Sequence, residues 1–65
     1  MNCVIKAKNR DAYFVGWAQR AVPVFSADAF RAKVYDDLNA AELLSEKMGE
    51  FVDAEVIAVE QKDFA

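Results

Sequence analysis

The 65-residue chain predicts a small α+β domain: a four-stranded antiparallel sheet in the order βββααβ, with helices packed on one face. Three observations predict it. Residues 38–51 (LNAAELLSEKMGEF) carry start, body and end signals of one amphipathic helix. Before them stand three short alternating or aromatic runs separated by turns, and after them comes an apolar run, residues 52–60 (VDAEVIAVE). A 55% apolar fraction, including five Phe, two Tyr and one Trp, excludes intrinsic disorder. Residues 1–65 make one domain, which buries roughly 60% of its unfolded surface.

In chain order, residues 3–8 (CVIKAK) alternate as a strand, with Cys3, Ile5 and Ala7 on one face and Val4, Lys6 and Lys8 on the other. Asn9, Arg10 and Asp11 form a turn to residues 12–18 (AYFVGWA), a strand that puts Tyr13, Val15 and Trp17 on one face and Phe14 on the other. Gly16 marks a bulge or a close approach. After a turn at Gln19 and Arg20, residues 22–25 (VPVF) are an edge strand, because Pro23 cannot donate to a ladder. Ser26 then caps a short helix over residues 27–34, with Phe30 and Val34 toward the core.

In the long helix, Asn39 and Glu42 have capping-box spacing, with Asp37 as the alternative cap, and Leu38 and Leu43 fall at staple positions. Ala40, Leu44, Met48 and Phe51 share a buried stripe, and Gly49 is placed to end the helix in a left-handed conformation. The last strand is expected beside the first, giving the order 4-1-2-3, with residues 61–65 as a frayed tail.

The formal charge of −3 conceals an asymmetry. Residues 1–33 net +4 and residues 34–65 net −7. No run approaches the ~20 apolar residues of a membrane span, and residues 1–10 lack a secretory apolar region, so a cytoplasmic location is expected. The single Cys3 has no internal disulfide partner, and a chain without His offers no zinc set; Cys3 reads as a small core residue and no cofactor is expected. Paired carboxylates are the one catalytic raw material, at Asp36 with Asp37 and at Asp53 with Glu55. They lack a His base, a nucleophile or a phosphate loop, so an enzyme is not expected.

The binding candidates are therefore acidic: Asp36, Asp37, Glu42, Glu46, Glu50, Asp53 and Glu55. Glu42, Glu46 and Glu50 recur every fourth residue, where like charges cost a helix about 0.2–0.5 kcal/mol per pair. Such a stripe suits a groove of Arg and Lys on a larger host protein or nucleoprotein complex. Two other readings compete. Lys6, Lys8, Arg10 and Arg20 near Tyr13, Phe14 and Trp17 have the composition of a single-strand nucleic-acid platform, although a pI near 4.7 opposes direct nucleic-acid binding. An open sheet face with Phe14, Val4 and Phe25 would drive self-association, leaving the chain a monomer or homodimer.

Tyr13 to Trp17 (YFVGW), Pro23 to Ser26 (PVFS), Ala32-Lys33 and Ala41-Glu42 together resemble a pattern common among small bacteriophage and mobile-element proteins. The resemblance spans about residues 4–59 and carries no catalytic residues. It implies a protein that binds and disables host machinery within the host cytoplasm, as anti-CRISPR inhibitors do. Some members of that class are acidic DNA decoys, from which this chain departs in its basic first half.

Overall fold

The computed structural model describes residues 2–59, so the expected tail at residues 61–65 lies outside the described residues. It is an α+β fold with a four-stranded antiparallel sheet, as the sequence predicts, but the described residues form one α-helix and not two, and the sheet is covered on both faces and not on one. The strands are β1 (Cys3–Ala7), β2 (Tyr13–Ala18), β3 (Val22–Ser26) and β4 (Ala54–Ala58), and the helix is α1 (Leu38–Met48). The sheet order β3-β2-β1-β4 is the expected one, with β3 and β4 as its edges.

Alternation along β1 divides the core between the two faces of the sheet. Ile5 packs with Phe14 and with Met48 of α1, joined by Phe25, Tyr35, Leu44 and Val56. Val4 points the other way, onto Ala32, with Ala29, Val34, Tyr13 and Ile57 around it. The second face is thus covered by residues 29–34. Those residues are not the α-helix the sequence suggests but one 3₁₀ turn, Ala29–Arg31, lying opposite α1. Asp28 supplies its cap, accepting from the Phe30 N–H at 3.0 Å, while Ser26 accepts from the Asp28 N–H. A 3₁₀ turn aligns side chains three apart, so Ala29 and Ala32 face the sheet and Phe30 is 66% exposed, contrary to its expected core position.

Two irregularities reshape the sheet. The register of β2 against β3 shifts between Phe14 and Gly16, which is the bulge expected at Gly16. It reverses the alternation beyond Val15. Trp17 therefore lies on the face of Phe14, edge-on to its ring at 5.1 Å, rather than with Tyr13. Between β1 and β2, register pairing is limited to Lys6 with Tyr13, because residues 33–35 enter the gap. Tyr35 and Cys3 exchange two backbone bonds of 2.8 Å, and the Lys33 N–H donates to the Phe14 carbonyl at 2.9 Å. The wedge helps enclose Cys3, which is fully buried, as expected.

The N-cap of α1 is Asp37, the alternative cap, and not Asn39. Its carboxylate accepts from the N–H groups of Asn39 and Ala40 at 3.0 and 3.3 Å. Asp37→Ala should therefore cost about 0.5–2 kcal/mol in urea unfolding, and Asn39→Ala close to nothing. With the start moved, Leu38 and Leu43 no longer form a staple, and both are exposed. The buried face is Ala41 and Met48, flanked by Leu44 and by Ser45, whose hydroxyl donates to the Ala54 carbonyl at 3.1 Å. Gly49 ends the helix in right-handed geometry, φ −56°, instead of the expected left-handed one. Its lack of a side chain matters through closeness, since a Cβ there would stand 3.0 Å from the Glu46 carbonyl oxygen. The chain turns away from the helix after Gly49, so Phe51 leaves the expected stripe and is 53% exposed.

Candidate functional site

The seven candidate acids are all exposed, but the fold does not bring them to one face. Asp36, Asp37 and Glu42 gather at the start of α1, near enough to Cys3 to raise its thiol pKa. Glu42 and Glu46 stand one turn apart on the outer side of the helix, about 6 Å along its axis. Glu50 lies just past the helix end, in the turn that leads to Phe51. Asp53 instead lines a cleft of about 340 Å³ with Ala7, Asn9, Arg10, Phe51 and Val52. Glu55 is opposite Lys6 in the β1–β4 register, on the sheet face away from α1. The expected stripe therefore reduces to an acidic face around α1, separate from Asp53 and Glu55.

The outer side of α1 also carries an apolar element, Leu43, that the sequence pattern assigns to a staple contact with Leu38. Leu43 is 61% exposed and, with Asn39, Glu42 and Glu46, lines a shallow hollow of about 280 Å³. Five residues separate Leu43 from Met48, which is about 140° around a helix of 3.6 residues per turn. That angle was available in the sequence. It pointed outward once Met48 was taken as the centre of the buried face. Leu38 is also exposed, at the first turn.

Neither Glu42 nor Glu46 is in an ion pair with another described residue. Among the described residues the only salt bridge joins Lys6 to Asp11, at 3.9 Å. Arg10 lies over the Phe25 ring and Lys33 over the Tyr35 ring, at 5.8 and 5.9 Å from the ring centroids. Part of the basic half is thus engaged with aromatic rings, while the acids of α1 face solvent.

The geometry bears on the residues named for the two competing readings. Of the three rings named for a stacking platform, Phe14 is fully buried and Tyr13 packs against the Val4 cluster, while Trp17 is 43% exposed. An open aromatic face is absent because α1 covers Phe14 and Phe25 while residues 29–34 cover Val4. Among the described residues, no three metal-ligating side chains come together. No helix of the described residues is long and apolar enough to cross a membrane.

Burial pushes the thiol of Cys3 above its ordinary value of 9.0, and the carboxylates of Asp37, Asp36 and Glu42 push in the same direction. Burial likewise raises the Tyr35 hydroxyl above 10.0. A raised pKa means that the folded chain holds a proton the unfolded chain has released. The associated stability is therefore complete below about pH 9 and is lost as pH rises beyond it. Urea midpoints should fall between pH 8 and pH 10.5, and less steeply in Cys3→Ala.

The chain is thus defined as a small α+β domain whose helix exposes Leu43, with Glu42 and Glu46 on one side of it and Lys47 on the other. Comparison with protein-family models, curated proteins and solved structures found no match to it.

Proposed function

We propose that this chain is a non-enzymatic binding protein of phage or mobile-element type, which lays the outer face of α1 on a basic, nucleic-acid-binding surface of a larger protein and so inhibits it. The observation that carries the reading is Leu43, 61% exposed beside Glu42 and Glu46, neither of which has a cationic partner among the described residues. A solvated helix face keeping two carboxylates one turn apart tolerates a local cost. An Arg- and Lys-lined surface reverses that cost, and the exposed leucine adds apolar contact beside the carboxylates. Asp36 and Asp37 extend the field at one end and Glu50 at the other, while Asp53 and Glu55 belong to different surfaces. The resemblance to small phage proteins agrees in kind, since such proteins act by occupying host machinery.

The test is competition. Protein captured from a nuclease-treated bacterial lysate on the immobilised chain is challenged with duplex DNA. DNA should release the partner, and the released partner should bind DNA on its own. A captured partner that DNA does not displace overturns the assignment to a nucleic-acid-binding surface.

A further inference from the structure

The sheet ends in two unlike edges. β3 is interrupted by Pro23, which has no N–H to offer, and pairs with β2 through a bulge. β4 (AEVIA) carries neither proline nor bulge, and Glu55 is its one charged guard. The ladder to β1 determines which of its backbone groups face outward. The Lys8 N–H donates to the Asp53 carbonyl at 2.8 Å and the Val59 N–H to the Asn2 carbonyl at 2.9 Å. With antiparallel alternation, residues 53, 55, 57 and 59 turn their backbone groups toward β1, whereas Ala54, Val56 and Ala58 turn theirs away. Ser45 occupies the Ala54 carbonyl. Among the described residues nothing takes up the Ala54 N–H or either backbone group of Val56 and Ala58, which line the edge.

We infer that β4 pairs antiparallel with β4 of a second copy, centred on Val56, to join two four-stranded sheets into one of eight. The outward groups are self-complementary in that register, with the Ala54 carbonyl taking the Ala58 N–H of the other copy on its second lone pair beside the Ser45 hydroxyl. Val56 exchanges two hydrogen bonds with its counterpart, and Ala54 lies opposite Ala58 on each side. Glu55 meets Ile57 of the other copy and not a second Glu55, so no like charges face each other across the symmetry axis. The two-fold axis runs normal to the sheet, which puts both α1 helices on the same face with their acidic sides still outward. Each copy carries a formal −3, so the copies repel at low ionic strength and added salt strengthens the pairing. That dependence is opposite to the one expected when α1 holds a basic partner. Failure of either idea therefore leaves the other standing.

The experiment is an NMR dilution series on the ¹⁵N-labelled chain, from about 1 mM to about 50 μM, at low and high salt. Concentration-dependent shifts should concentrate at the amides of Ala54, Val56 and Ala58 and increase with salt. Ala58→Pro removes one outward N–H while sparing the bonds to β1, and should give a folded chain that no longer associates. Should that variant not fold, the series on the unaltered chain decides alone. The inference is overturned by spectra that do not change up to about 1 mM. Shifts centred on Glu42, Leu43 and Glu46, or a folded Ala58→Pro chain that associates normally, would overturn it as well. An edge reserved for a strand of another protein would appear as the first of these outcomes.

Discussion

Phe14→Ala should leave the chain without a cooperative fold at room temperature. Phe14 is the largest fully buried side chain and lies in the cluster that joins β1, β2 and α1. Its ring meets Trp17 and Phe25 edge-on, at 5.1 and 6.0 Å. Truncating a buried Phe costs about 3–5 kcal/mol. A chain of 65 residues has only about 3–10 kcal/mol of total stability, so the loss is comparable with the whole. Circular dichroism through a urea titration should show a baseline without a transition, or a midpoint close to zero. A midpoint within about 1 kcal/mol of the parent would mean that Phe14 is not the centre of that cluster.

Val4→Asp should be equally damaging, for a different reason. Val4 is fully buried on the sheet face away from α1, under Ala32 and its neighbours. A carboxylate there must remain charged among apolar groups or take up a proton, since Ala29, Ala32, Val34 and Ile57 around it are apolar and Tyr13 packs there as well. The expected loss exceeds about 4 kcal/mol. Val24 is the control. It is paired with Gly16 on the same face but lies 39% exposed, so Val24→Asp should stay within about 1 kcal/mol of the parent. Equal tolerance of the two variants in thermal melts would show that residues 29–34 do not cover the second face.

The strands, the sheet order and the presence of α1 were legible because each rests on local pattern. Alternation in CVIKAK, the aromatic run before Trp17, Pro23 at an edge and the VIAV run all carried their own signal. What escaped were features set by contacts distant in sequence. Nothing near Phe30 indicates that Ala29 and Ala32 will lie on the sheet, which turns an expected helix into one 3₁₀ turn. Tyr35 pairs with a residue 32 positions earlier, a contact no local periodicity encodes. The bulge at Gly16 was foreseen, but not its consequence for Trp17. The candidate site was half legible. The outward direction of Glu42 and Glu46 followed from helical spacing, while the separation of Asp53 and Glu55 from them depended on which sheet face each strand residue takes.

The central claim is that the outer side of α1 is the binding surface, and charge reversal there tests it most directly. Glu42→Lys with Glu46→Lys alters two exposed side chains that make no contact with the core, so the variant should melt within a few degrees of the parent. Capture of the partner from nuclease-treated lysate should be lost, and any remnant should no longer weaken with salt. A folded double variant that captures the same partner as well as the parent does, with the same salt dependence, would contradict the account.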